Sequence, residues 1–213
     1  MKNKIKYLFG FLLLMTNGFL YADSINIPEG ATLEYRLSYF YPSSSNFRHL
    51  FHGGGTNYQL TGTIPIYPER CDYTHGVNVW GAIDYFSKSE HTDELGNRIT
   101  IRIIPTTLGL KYFFPTIEGI IPVNFYAAGG MKFYYVHTHN NSDLVKKTID
   151  KRGLGGVVEA GFTTVIHCHL LLDVFASYSF RTFGPPSNSD PSVKSVGLDV
   201  SGFNFGAGLG YIF

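Results

Sequence analysis

The sequence predicts an all-β protein, a closed antiparallel eight-stranded up-and-down transmembrane β-barrel. Three observations lead to this prediction. The last eleven residues alternate between apolar and small or polar side chains, as a strand with one apolar face does. Charged residues make up 15% of the chain, against roughly 25% in typical soluble domains, and aromatic residues make up 16%. Seven further segments alternate with a period of two, and no later stretch suits a membrane-spanning helix.

The start of the chain is typical of a secretory signal peptide. Three lysines within the first six residues precede the apolar stretch 7–15, and we expect cleavage after Ala22. A bilayer-spanning helix needs about 20 apolar residues, so this stretch is too short to be one. The clustered lysines and the polar sequence that follows disfavour the alternative, a buried N-terminal helix. We therefore expect a signal peptide at 1–22 and a single barrel domain at 23–213.

Eight segments have the alternation expected of membrane-spanning strands, which run for about ten residues. The fourth contains Pro105, where the alternation loses phase, and we expect a β-bulge there. The eighth begins near Val196, changes phase around Gly202 and runs to the final Phe213. The expected strands are 32–41, 58–66, 77–87, 99–114, 123–135, 157–166, 170–180 and 203–213.

The connections between these segments support the barrel topology. A secreted N-terminus starts in the periplasm, so the first connection is external. The expected external connections are long and rich in Ser, Asn, Gly, His and charge, at 42–57, 88–98, 136–156 and 184–195. The internal connections are shorter, at 67–76, 115–122 and 167–169. The competing architecture is a soluble β-sandwich or lipocalin-like barrel, but its solvent face would be crowded with Lys and Glu instead of Ser, Thr, Gly and Asn.

The terminal strand resembles the C-terminal assembly signal of bacterial outer-membrane β-barrels, in which alternate apolar residues lead to a final Phe. The matching residues are Phe205, Leu209, Tyr211 and Phe213. Residues 23–213 as a whole resemble the small eight-stranded OmpA-domain and OmpX-like proteins in pattern. This resemblance implies a location in the bacterial cell outer membrane, contact with membrane lipid and lipopolysaccharide, and insertion by the barrel-assembly machinery. Members of that family are anchors, adhesins, narrow pores or, in a few branches, lipid-modifying enzymes, so fold alone leaves the function open.

Charged residues on the inward-facing parity form the main candidate site. An eight-stranded barrel has an interior just wide enough for side chains to fill, and charges held there are costly unless they are paired. We therefore expect a lumenal ionic network that fills the barrel and ties strands together, with a narrow conduit as the alternative. Its expected members are Glu34, Arg36, Asp84, Lys132, Glu159, Asp173 and Arg181.

One segment contains residue types that are used in catalysis. Barrel-type lipid-A deacylases place a Ser and a His near the outer leaflet, and His137, His139 and Ser142 faintly resemble their arrangement. Thr138 lies between the histidines and Ser142 falls three positions after His139, so the pattern departs from that family at the nucleophile. Nucleophilic catalysis needs a specific geometry between nucleophile and base. We therefore favour a polar external loop and expect no enzyme activity.

Cys71 and Cys168 are the only cysteines, and both fall in connections expected on the oxidising periplasmic side. A disulfide needs Cα atoms within about 7 Å of each other, so the connection 67–76 would have to fold across the opening. A further alternative is a soft metal site that also uses the histidines His75, His167 and His169. Two unpaired thiols are the favoured interpretation, and we expect no metal and no cofactor.

The first external connection contains the amphipathic segment 47–51, followed shortly by three glycines. We expect a short helix that lies on lipid headgroups or packs within the loop, with binding of a surface ligand as the alternative. A net charge of +1 without a basic cluster gives no support for nucleic-acid binding. The sequence thus predicts a structural or surface-interaction protein, with a narrow pore for small solutes or ions second and a lipid-modifying hydrolase third.

Overall fold

The computed structural model describes residues 30–66, 76–91, 98–114, 123–140, 148–167, 169–184 and 198–213. The expected signal peptide lies outside these ranges. Within them the chain forms one short helix and ten strands. In chain order they are β1 (Thr32–Pro42), α1 (Ser45–Leu50), β2 (Gly55–Pro65), β3 (Val77–His91), β4 (Arg98–Phe113), β5 (Asn124–Asn140), β6 (Thr148–His167), β7 (Leu170–Phe180), β8 (Thr182–Phe183), β9 (Leu198–Asp199) and β10 (Gly202–Ile212).

Eight of these strands close into a barrel in the order β1, β10, β7, β6, β5, β4, β3, β2. Every neighbouring pair is antiparallel. The closing pair joins the first and last strands, with Thr32 opposite Ile212 and Pro42 opposite Gly202. The short strands β8 and β9 form a separate two-stranded sheet. The predicted closed, eight-stranded, up-and-down topology is confirmed, and each of the eight barrel strands pairs with a neighbour on both sides.

The exterior of the barrel is apolar and its interior is polar over much of its length. Along β1 the side chains alternate without exception between buried and exposed. The outward Tyr35 and Leu37 are 56% and 50% exposed, whereas the inward Glu34 and Arg36 are 1% and 0% exposed. A water-soluble protein has the opposite distribution. This inversion argues against the soluble sandwich or lipocalin-like barrel and gives the outer surface the composition of a lipid-facing wall.

Several strands extend farther than the sequence pattern predicted. We call the barrel end at which β1 finishes and α1 begins the external end, and the opposite end the periplasmic end. At the external end β3, β5 and β6 reach lengths of 15, 17 and 20 residues. The expected connections 88–98 and 136–156 are therefore partly strand. Their Ser, Thr, His and Lys residues have a loop-like composition, but the backbone remains paired as far as His139 and Thr148.

Pro105 does not cause the predicted β-bulge. The pairs Ile83–Thr106 and Phe86–Ile103 between β3 and β4 keep one register on either side of the proline. Proline has no N–H group, so it removes a ladder hydrogen bond without shifting the strand. The register shift lies elsewhere, in the pairing of β6 with β7. The apparent loss of phase in β4 arises because Ile101 and Ile103 point inward, into an apolar layer at the external end of the lumen.

The helix α1 closes part of the external opening. The Ser44 side chain caps it by accepting a hydrogen bond from the backbone N–H of Phe47. Phe47 and Phe51 are buried and pack with Phe40 and Phe86 of the barrel wall. Of the two expected placements, on lipid headgroups or packed within the loop, the structure has a packed one, with the helix turned into the barrel mouth. No helix in the described residues is long and apolar enough to cross a membrane.

Candidate functional site in the barrel lumen

The centre of the lumen is organised around the guanidinium group of Arg36 on β1. Its Nη2 atom lies 3.0 Å from Glu34 Oε2, its Nη1 atom 2.8 Å from Glu159 Oε1, and its Nε atom 3.0 Å from Asp173 Oδ2. The Arg36 side chain is fully buried, and the three carboxylates come from β1, β6 and β7. One cation therefore links three strands through ion pairs. The contacts from Nε to Glu34 and from Nη1 to Glu159 are also charge-assisted hydrogen bonds, which are shorter and stronger than neutral ones.

A second ion pair is joined to this centre through Gln59 of β2. Arg36 Nη1 donates to Gln59 Oε1 at 3.2 Å, and Gln59 Nε2 donates to Asp84 Oδ1 at 2.6 Å. The other Asp84 oxygen lies 2.5 Å from Lys132 Nζ on β5. The amide of Gln59 can do this because it both accepts and donates. A continuous polar chain thus crosses the lumen from β7 to β5.

Lys111 of β4 is a buried cation that the sequence analysis did not include in the network. Its Nζ atom lies 4.2 Å from the ring centroid of Tyr126 and 5.8 Å from that of Phe113. Tyr126 in turn donates a hydrogen bond to Glu159. The alternation of β4 does indicate that Lys111 points inward, because it stands between the outward-facing Leu110 and Tyr112.

The structure places Arg181 apart from the other expected members of the network. It follows the last residue of β7 at the external rim, where Nη1 donates to the carbonyl of Leu154 at 2.6 Å. Its guanidinium carbon lies 4.7 Å from the ring centroid of Phe183. Arg181 continues the inward parity of β7, but it lies beside Phe183 of the apolar layer and forms no ion pair with a described carboxylate.

The buried charges around Arg36 and around the pair of Asp84 and Lys132 do not balance, because four acids stand against three bases. Each of the seven side chains is almost fully buried. The imbalance makes the attraction between neighbours essential, because an unpaired charge in this setting is expensive. The four acids are Glu34, Asp84, Glu159 and Asp173, and the three bases are Arg36, Lys111 and Lys132.

An apolar layer covers the polar clusters at the external end. Its members come from β1, β3, β4, β5, β8, α1 with the residue that follows it, and the segment after β9. Between this layer and Lys132 lies a cavity of about 20 Å³, also lined by Asp84 and Tyr134. That volume is enough for about one water molecule. The residues of the apolar layer are Phe40, Phe47, Phe51, Phe86, Ile101, Ile103, Tyr134, Val136, Phe183 and Val200.

The residues of the expected assembly signal lie on the outward face of β10. Phe205, Leu209, Tyr211 and Phe213 are all exposed. At the periplasmic end the Tyr211 ring stacks on His169 with a centroid distance of 5.4 Å, and its centroid lies 5.1 Å from that of Phe213. The final aromatic residues therefore form an accessible outward cluster at that rim.

The other candidate residues fall on the rim or outside the described ranges. His137 and His139 lie on β5, where their Nδ1 atoms contact Asp150 Oδ1 at 2.7 Å and Thr148 Oγ1 at 3.4 Å. Within the described parts of the chain, no group of three or more His, Cys, Asp and Glu residues is arranged to hold a metal ion. Residues outside the described ranges are Cys71, Cys168, His75 and Ser142.

The sequence matches no protein-family model, and no curated protein sequence matches it. Several solved structures are similar. The outer membrane protein OprG from Pseudomonas aeruginosa is 17% identical, with a TM-score of 0.56 over 90% of this chain and 99% of its own. Neisserial surface protein A is 14% identical, with a TM-score of 0.53 over 86% and 97%. A major outer membrane protein from Thermus thermophilus is 15% identical, with a TM-score of 0.51 over 86% and 99%.

These similarities define the class of protein, a small eight-stranded β-barrel with the fold of outer-membrane proteins. The apolar outer wall agrees with that class. Fold and exterior together are those of a protein of the bacterial outer membrane. The resemblance to OmpA-domain and OmpX-like barrels is thereby confirmed at the level of the fold.

Proposed function

We propose that this protein is a closed, non-conducting barrel that serves as a structural element of the outer membrane and presents its external rim for surface interactions. The observation that carries this proposal is the filling of the lumen at two successive levels. Around Arg36 the opposing walls are joined by ion pairs, and nearer the outside Phe40, Phe47 and Phe86 pack ring against ring.

The two levels oppose permeation for different reasons. A hydrated ion entering from the periplasmic end would have to separate Arg36 from carboxylates that lie within 3.0 Å of it. A solute entering from the external end would have to displace the aromatic side chains of α1 and the wall. Eight strands build an interior just wide enough for side chains, so we expect no route around these two levels.

The external rim supports the interaction part of the proposal. The pairing of β6 with β7 ends where Gly156 lies opposite Phe180. Beyond this point the strands β5 and β6 continue toward the outside. Their outer parts carry exposed polar and charged side chains, among them His139, Asp150 and Arg152. We propose further that residues 1–22 direct export of the chain. The assembly machinery would then recognise β10 through its outward aromatic residues. We also propose that the barrel is not an enzyme.

Planar bilayers test the closed state. We expect the purified, folded protein to give no unitary conductance above background. A variant that cuts both levels, Arg36→Ala with Phe40→Ala and Phe47→Ala, is expected to conduct and so shows that the assay detects an opened barrel. Folding of each sample is checked by its heat-dependent shift on a detergent gel. Reproducible unitary currents from the unaltered protein would contradict the proposal and favour the narrow pore.

A further inference from the structure

On β4 and β6, which both neighbour β5, the outward side chains change from apolar to charged toward the external end. On β4 the outward Ile104 is followed toward the external end by Arg102, and on β6 the outward Leu154 is followed by Arg152. Between them β5 carries Tyr135 directly opposite both Ile104 and Arg152. We infer that this change marks the external boundary of the lipid-facing surface on this side of the barrel.

The two arginines at this boundary have few competing anions. Both are exposed and face outward. Asp150 is the one acid on the outward parity of β4, β5 and β6 at this level among the described residues, and it already accepts hydrogen bonds from Tyr135 and His137. No described carboxylate lies within ion-pair distance of either guanidinium. The patch therefore keeps a net positive charge.

The position of one of these cations is already restricted. The guanidinium carbon of Arg152 lies 5.3 Å from the ring centroid of Tyr135. A cation over an aromatic face is held there by the ring quadrupole, and stacking leaves the edge of the guanidinium available for hydrogen bonds. Fewer side-chain rotamers then need to be frozen when a ligand binds, which favours affinity.

The opposite side of the barrel has no equivalent patch among its described residues. There the outward residues near the external end are aromatic, such as Tyr39, Tyr41 and Phe203. Arg48 lies near them, but its Nη1 atom donates to the carbonyl oxygens of Pro42 and Ser43. The positive charge at the boundary is thus concentrated on β4 and β6.

We propose that Arg102 and Arg152 form a binding site for the phosphate group of an outer-leaflet lipid, with the acyl chains of that lipid lying along Ile104, Phe133 and Leu154. The inference rests on the outer-membrane function proposed above. The two Cα atoms are two strands and two residues apart, which corresponds to roughly 12 Å from standard sheet spacings. Two arginine side chains span that gap, and guanidinium groups bind phosphate through paired hydrogen bonds.

The test measures lipid binding by the folded protein in detergent micelles, using native mass spectrometry with bisphosphorylated lipid A as the probe. The site variant is Arg102→Gln with Arg152→Gln. The matched control, Arg48→Gln with Lys88→Gln, loses the same formal charge, but Arg48 lies over Tyr41 and the Lys88 ammonium donates to the Gly54 carbonyl, so neither belongs to the patch. We expect the site variant to bind roughly tenfold more weakly, since each lost charge-assisted hydrogen bond is substantial, and the control to bind as the unaltered protein does.

Two further comparisons sharpen the result. Arg102→Lys with Arg152→Lys keeps the charge but loses the paired hydrogen bonds, so we expect intermediate affinity. Dephosphorylated lipid A is expected to bind all variants alike. Equal weakening in the site variant and its control would overturn the site, as would tight, arginine-independent binding of the dephosphorylated probe. The heat-dependent gel shift separates the two proposals. A folded barrel whose lipid binding does not change in the arginine variants refutes the site alone. Failure to fold in membranes refutes the proposed function on which the site depends.

Discussion

Gly208 of β10 lies directly opposite Arg36 of β1, and the space left by its missing side chain is where the Arg36 side chain begins to cross the lumen. A Cβ atom at position 208 would come within 2.5 Å of Arg36 Cγ. Gly210 stands in the same relation to Glu34. Arg36 and Glu34 of β1 thus require small inward residues at the opposite positions of β10.

Gly208→Ala is therefore expected to destabilise the barrel by about 2 kcal/mol, the usual scale for overpacking a filled interior. Arg36 is held by three carboxylates and cannot move away freely. Gly81→Ala is the matched control, because its nearest neighbour would be the Thr107 carbonyl oxygen at 3.8 Å. Urea unfolding followed by the fluorescence of Trp80, the single tryptophan, measures both. Equal stability of the two variants would show that the close approach does not matter.

Removal of the central cation should cost far more than removal of one of its anions. Arg36→Met leaves Glu34, Glu159 and Asp173 without their direct partner, and we expect a loss of about 4 kcal/mol in unfolding free energy. Glu159→Gln keeps two carboxylates on Arg36 and can still accept its Nη1 hydrogen bond, so we expect about 1 kcal/mol. The same unfolding assay ranks them. A reversed order would mean that the excess of buried acids over bases, and not Arg36, limits stability.

Asp84 and Lys132 are expected to depend on each other. Asp84→Asn leaves the Lys132 ammonium buried without its carboxylate, and Lys132→Met leaves the opposite charge alone, so each change should cost about 3 kcal/mol. The double variant removes both charges and should cost less than the sum by about 2 kcal/mol. A double-mutant cycle of unfolding free energies gives this coupling. Additive costs would indicate that Gln59 or water replaces the missing partner.

The exposed pair of His137 and Asp150 gives a pH prediction. The hydrogen bond from His137 is the main reason that the pKa of the Asp150 carboxyl lies below its ordinary value of 3.8, and the Tyr135 hydroxyl adds to it. Because the pKa is lowered in the folded state, the contribution of the pair is present above the unfolded pKa and is lost as the pH falls through the folded one.

Carbon-13 NMR of the Asp150 carboxyl is expected to show a titration midpoint that rises toward 3.8 in His137→Ala. His139→Ala should leave the midpoint unchanged, since His139 contacts Thr148 on the adjacent row. An identical midpoint in all three proteins would rule out the His137 hydrogen bond as the cause.

The sequence predicted the outer wall of the barrel better than its contents. Lipid imposes an apolar side chain at every second position, so residues such as Leu37 and Leu209 could be assigned to the exterior by counting. The alternation is no longer visible in the sequence where the inward-facing side chains are also apolar. Ile101 and Ile103 point inward and looked like a break in phase, and the inward Lys111 was not included in the network.

Other features depend on contacts that a linear pattern does not contain. The amphipathic character of α1 was visible, but its direction was not, because Phe47 and Phe51 turn inward only when Phe40 and Phe86 leave an apolar opening for them. The inward parity of Arg181 was also correct, yet its height beyond the end of β7 decides that it meets the carbonyl of Leu154 instead of a carboxylate.

The unequal lengths of the strands make the outer rim a slope. From Gly156, which pairs with Phe180 at the end of β7, the strand β6 runs back to Thr148, a distance of roughly 25 Å along the chain at the usual rise per residue. The helix α1 sits near the low side, where β1 ends at Pro42. In the proposed orientation, an object that approaches from the medium therefore meets the outer parts of β5 and β6, within the described residues, before it reaches α1.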